Sequence, residues 1–272
     1  MSRLSVPSVL LLGLVLFAGC RPAPVPTTLD RLARFAAGDE ATFQIHYSEG
    51  DEDLIPELTV ALRLARQRVQ RWGGLPYGVD VLLHPDHDAL ERAVQQHGYP
   101  WLRAWAQHGT IHLQSPQTWG IPWGEQLREL LIHELTHVAM YQAIGGPTDW
   151  MTRELPLWFR EGMASVTAEQ GYRRPSEAEV FAAWRRAPHL DPLRPDAETL
   201  RTHKDLVYGA GHWAFARLLE RAGGTEPGTC LVCRLLARIR NGEPFERAFE
   251  AVWGLSEEAF LQGFLAQGAG AV

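Results

Sequence analysis

Lysine is nearly absent from this chain, Lys204 being its only one, and cysteine is scarce, with three in 272 residues. The 26 basic residues are scattered and are outnumbered by 32 acidic ones, for a formal net charge of −6. Nucleic-acid binding needs concentrated positive charge to meet the phosphate backbone, so this distribution predicts no DNA or RNA partner. Three cysteines cannot build the disulfide framework of a small secreted scaffold. Long hydrophobic runs are missing beyond the first twenty residues, which argues against a multi-span membrane protein. Internal repeats and, beyond a proline-rich stretch near the amino terminus, low-complexity tracts are missing too. What is there, 46% hydrophobic, 10% aromatic and 21% charged residues, suffices for a folded core.

The apolar run from Val9 to Phe17 follows Met1-Ser2-Arg3 and precedes Ala18-Gly19-Cys20, the three regions of a secretory signal over residues 1–19. It is roughly half of the twenty or so residues that a membrane-spanning helix needs. Small residues directly before Cys20 resemble the lipobox of bacterial lipoproteins, which implies cleavage there, lipidation of Cys20 and a membrane anchor. Residues 20–37 carry Pro22, Pro24 and Pro26, and are expected to form a stiff, extended tether. Arg21 stands where many Gram-negative lipoproteins retained at the inner membrane have aspartate. The resemblance therefore implies the cell envelope, at the outer membrane facing the periplasm. The remaining cysteines, Cys230 and Cys233, lack the second pair that a zinc ribbon requires. A local disulfide and two small hydrophobes on one helical face both remain open.

The folded domain is expected over residues 38–268. Alternating or strand-rich segments at 41–47, 79–83 and 110–114 read as strands, with helices at 54–72 and 86–96. From residue 125 onward helical periodicities follow one another, separated by glycine and proline: 125–144, 156–170, 176–185, 205–222, 230–240, 244–253 and 256–266. Strands mixed with helices first, and helices alone afterwards, predict an α+β fold. A mixed lobe to about residue 124 precedes a helical lobe from about 125, with the cleft between them as the default site.

The segment Leu131-Ile132-His133-Glu134-Leu135-Thr136-His137 carries the chemistry. On a helix, the i, i+4 spacing stacks His133 and His137 on one face, where both imidazoles can ligate one metal, with Glu134 beside them as general base. Zinc is the expected ion, because imidazole suits it and a hydrolytic site needs three protein ligands and an open fourth position. Two imidazoles and a carboxylate buried together would be hard to satisfy without an ion.

Pro156-Leu157-Trp158-Phe159-Arg160-Glu161-Gly162-Met163-Ala164 supplies the best third ligand. H-E-x-x-H followed by W-x-x-E-G-x-A resembles the gluzincin metallopeptidases, the peptidase MA group, over roughly residues 40–266. In that family the glutamate before the glycine is the third zinc ligand, which implies Glu161 on a helix with Pro156 in its first turn. Twenty-three residues separate His137 from Glu161; this is longer than the family's usual spacing, and a loop around Gly145 to Asp149 can absorb the excess. Glu154 is the competing ligand, outside the motif. Residues 138–147 contain no histidine, which excludes the metzincin pattern.

The resemblance further implies a zincin-like fold, a peptide or protein substrate, and a tyrosine that stabilises the oxyanion from a helix after the third ligand. Tyr208 is the favoured residue for that role and His212 its alternative, one turn apart. Gly209-Ala210-Gly211 beside them lacks the context of a nucleotide site. The strand 110–114, last before the metal helix, is expected to be the edge that pairs with extended substrate. His108 just before it and His112 within it read as surface residues, and His84 and His87 as part of a turn. Trp119 and Trp123 read as core, with lining of the cleft as the alternative. The competing function is an envelope lipoprotein that uses such a scaffold for assembly or partner binding, with structural zinc. Glu134 weighs against it, because a structural site needs no general base.

Overall fold

The computed structural model describes residues 29–36, 42–121 and 123–269. The signal segment, Cys20 and the prolines of the tether lie outside the described residues. The fold is α+β: a small mixed sheet of five strands with helices packed on it, then a run of helices. The strands are β1 (Arg31–Ala36), β2 (Thr42–Tyr47), β3 (Val79–His84), β4 (Ala104–Ala106) and β5 (Thr110–Gln114), in the spatial order β1-β2-β3-β5-β4. β2, β3 and β5 run parallel, and the two edges, β1 and β4, run antiparallel to their neighbours.

Two strands depart from the sequence reading. Residues 31–36, assigned there to the tether, form β1, and the fold therefore starts before residue 38. Phe35 stacks on Phe43 of β2, with ring centroids 5.3 Å apart, beneath the guanidinium of Arg63. Strand 110–114 is not an edge: β4 lies outside it, three residues too short to give an alternation pattern.

Helix α1 (Ile55–Val69) has Pro56 in its first turn and buries Leu58, Ala61, Leu62, Ala65 and Val69, a stripe of helical spacing. It packs on α3 (Gly124–Ile144), and α2 (His87–Val94), capped by Asp86, contacts β3 and β5. Helices on the sheet leave β3 buried along nearly its whole length, a pattern that fits parallel interior strands. His84 and His112 are consequently buried rather than exposed, their rings stacked, with Nε2 and Nδ1 3.0 Å apart.

The helical part contains α4 (Leu157–Thr167), α5 (Glu177–Arg186), α6 (Ala197–Thr202), α7 (Lys204–Arg221), α8 (Thr225–Arg240), α9 (Phe245–Trp253) and α10 (Glu257–Ala269). α4 and α7 approach most closely at Gly162 and Gly211. A Cβ on Gly162 would fall onto the carbonyl oxygen of Gly211 and lie 2.5 Å from Cβ of Phe215. The other side of α4 is fixed by Trp158, which sits among Phe159, Phe245, Phe249 and Phe260 and donates from Nε1 to Glu257 at 2.6 Å. The carboxy-terminal helices thus serve as the backing of α4. Cys230 and Cys233 on α8 are both free thiols. No described helix is long and apolar enough to cross a membrane.

Candidate metal centre

α3 is buried along almost its whole second half, from Leu131 to Gln142. This places His133, Glu134 and His137 inside the protein, next to α4. The Nε2 atoms of His133 and His137 are 3.2 Å apart. Glu161 of α4 closes a triangle, with its carboxylate oxygens 3.3 Å from His133 Nε2 and 3.6 Å from His137 Nε2. One donor atom from each of the three residues lies within 4.8 Å of the others, and this is the one group of that kind among the described residues. Glu154 is exposed and stands outside it. The loop from Gly145 to Pro156, with a short turn at Trp150–Thr152, takes up the extra length between the ligand segments.

The donor set fits a divalent metal. Gln170 turns Oε1 toward His133 Nδ1 at 3.1 Å, and the same oxygen accepts from Arg174 Nη2 at 3.0 Å. An arginine can only donate, so the Gln170 atom facing it is oxygen, and His133 must carry its proton on Nδ1. Nε2 is therefore the nitrogen that faces the triangle and the carboxylate of Glu161, and a cation would take its lone pair by displacing the proton it shares with that carboxylate. Burial drives the Glu161 pKa upward, but His137 and His133 beside it prevail and hold the carboxyl well below its usual range. It is a carboxylate ready to ligate a cation.

Glu134 differs. Burial pushes its pKa up to about 7; the neighbouring charge of Glu161 adds to this, while His133 and the backbone N–H of Ala106 act against it. That N–H belongs to β4. In the β4–β5 ladder, residues 103, 105 and 107 exchange hydrogen bonds with β5, as Gln114 N to Arg103 O and Gln107 N to Thr110 O demonstrate, both at 2.8 Å. The peptide groups of Ala104 and Ala106 therefore point out of the sheet edge. The hairpin is pinned to the end of α3: His108 Nε2 donates to Gly145 O at 3.0 Å, and Gln142 Nε2 donates to His108 O at 2.9 Å. His108 is thus a buried brace, not a surface residue.

A cavity of about 460 Å³ opens over the triangle and is lined by His133, His137 and Glu161 and by Glu134. Trp101, Trp105, Trp119 and Ile121 give it apolar lining, while Arg160, Arg174 and Tyr208 give it polar lining. Trp119 thus takes both roles, packed in the core and exposed to the cavity. Tyr208, held below the Arg174 guanidinium at 5.3 Å, has its phenol pushed upward by burial and by the Glu161 charge. His212, the alternative residue, does not reach the cavity: its Nδ1 lies 3.0 Å from Ser165 Oγ and its Nε2 faces Gly171.

The sequence reading named the triangle, Glu134 and Tyr208. It missed Gln170, Arg160, Arg174 and the alanines of β4, for which the sequence carries no local signal. In comparison with known proteins, the chain matches no protein-family model and none of the curated proteins.

Proposed function

We propose that this protein is a zinc-dependent peptidase of zincin-like architecture, related to the gluzincins, tethered at the bacterial cell envelope through lipidated Cys20. The observation that carries the reading is the convergence of two imidazoles and one carboxylate beside a second buried carboxylate, all facing one cavity. His133, His137 and Glu161 would hold the ion. Their nitrogen and oxygen donors suit zinc, and three protein ligands leave a position for water or substrate. When bound, zinc supplies Lewis acidity toward a water and a peptide carbonyl.

The chain's own residues supply the rest. Ala104 offers an outward N–H and C=O, and Ala106, whose N–H meets Glu134, an outward C=O, to which an extended peptide can add as a further strand, as at other exposed sheet edges. Glu134, next to this edge, takes a proton from the attacking water and passes it to the leaving amine. Tyr208 donates its hydroxyl hydrogen to the oxygen on which negative charge develops. His212, engaged with Ser165, has no part in this scheme.

Digestion of a peptide library by the zinc-supplemented wild type and by Glu134→Gln, side by side, tests the reading. Cleavage by the wild type that the variant lacks supports it. No cleavage by the folded, zinc-containing wild type counts against it and favours the non-catalytic scaffold.

A further inference from the structure

Two largely buried guanidiniums line the cavity without a carboxylate partner. Arg160 donates from Nη1 to the Tyr141 hydroxyl at 3.0 Å, and its Nε is buried with no partner among the described residues. Arg174 donates to Gln170 Oε1 at 3.0 Å and to Ser165 Oγ at 3.3 Å, and covers the Tyr208 ring. All of these partners are neutral. The other cations of the lining are engaged elsewhere: Arg173 pairs with Glu129 at 2.6 Å, Lys204 pairs with Asp205 at 3.1 Å, and Arg103 donates to the carbonyls of Pro100 and Leu102.

The carboxylates of the lining do not fill the gap. None of them bonds either guanidinium: Glu129 is held by Arg173, Glu134 meets the β4 edge, and Glu161, whose charge reaches both arginines, faces the two histidines. A bound dication would balance both Glu134 and Glu161, leaving the charges of Arg160 and Arg174 without a counter-ion. Removing a guanidinium from water without an anion is costly, and its planar fork is shaped to take a carboxylate through two parallel hydrogen bonds. A substrate carboxylate would supply the missing charge.

We propose that Arg160 and Arg174 select the substrate by a carboxylate, so that the preferred peptide places an acidic side chain or its free C-terminal carboxylate in the cavity. This inference rests on the peptidase reading for its turnover arm only. The test uses the full zinc-loaded chain and peptides matched in pairs: glutamate against glutamine at each position around the cut bond, and a C-terminal acid against its amide. One of the two series should show at least a tenfold advantage in kcat/KM for the charged member, and which series does so identifies the source of the carboxylate. In Arg174→Met the acid-to-neutral ratio should fall toward one, while Arg160→Lys, which keeps the charge but not the fork, should lower it in part. Equal cleavage of acidic and neutral peptides by the wild type would overturn the inference and leave the peptidase reading intact.

A binding arm needs no turnover. Calorimetric titration of Glu134→Gln with N-acetyl-alanyl-glutamate and with its diamide should show the acid bound at least tenfold more tightly, a margin that Arg174→Met in the same background removes. That result would support carboxylate selection even if no peptide were cleaved. Equal affinity for acid and diamide, or failure of both to bind, would overturn it.

Discussion

The Nδ1 of His133 and the Oε1 of Gln170 lie 3.1 Å apart, and that oxygen also accepts from Arg174, so the imidazole tautomer is dictated from outside the metal triangle. Partners of this kind orient a ligating histidine and raise its basicity, and their loss costs about tenfold to a hundredfold in metal affinity. Gln170→Leu should weaken zinc binding by that factor while the chain stays folded, as a chelator competition would reveal. An unchanged affinity would mean that the tautomer is fixed in some other way.

Glu134 and Tyr208 separate metal binding from chemistry. Glu134→Gln should retain zinc and lose roughly 10²- to 10⁴-fold in kcat, the usual contribution of a positioned general base. Tyr208→Phe should retain zinc and lose about 10²- to 10³-fold, the cost of one oxyanion donor. Single-turnover kinetics on metal-replete protein checks both. His212→Asn should leave kcat within about twofold, since that ring is turned toward Ser165.

Gly162 sets the spacing of α4 and α7, and with it the placement of Glu161 relative to Tyr208. A methyl group there meets the Gly211 carbonyl and Phe215, so the helices must part. Overpacking of this kind typically costs about 1–3 kcal/mol. Gly162→Ala should lower Tm by several degrees in a thermal melt, and the same parting of the helices should weaken zinc binding.

Acid should destabilise the fold through its buried neutral histidines. Burial lowers the pKa of His84, His112 and His212 from 6.5 to about 4 in each case. Between these two values the unfolded chain binds more protons than the folded one, so stability is full above pH 6.5 and falls as pH falls toward 4. The slope is about 1.4 kcal/mol per pH unit for each histidine. Urea midpoints at pH 7, 6 and 5 should decline in order. Replacing both members of the stacked pair, His84→Asn with His112→Asn, should flatten the decline.

The site was legible in the sequence where its parts are local. His133, Glu134 and His137 lie on one helix at a spacing that places them on one face, and Glu161 follows in a second short motif. Tyr208 was reached through the resemblance to the gluzincins, which implies a tyrosine on a helix after the third ligand. β4 was not legible, because Ala104-Trp105-Ala106 is too short for any period to register, and the edge position passed by default to 110–114. β1 was hidden by the prolines before it. Gln170, Arg160 and Arg174 are set at the cavity by the packing of α3, α4 and α7, a long-range property that a linear pattern does not encode. His108 and His112 were read as surface residues, and His84 as part of a turn, because the helices over the sheet, and the brace at Gly145, are tertiary features.

His133, His137 and Glu161 are proposed to hold one metal ion together. Elemental analysis of the purified folded chain after equilibration with zinc and desalting tests it most directly, alongside Glu161→Ala and the double variant His133→Ala, His137→Ala. One zinc per wild-type chain is expected, with a sharply reduced content in Glu161→Ala and none in the double variant. A folded wild-type chain that retains no zinc, or a double variant that retains as much as the wild type, would contradict it.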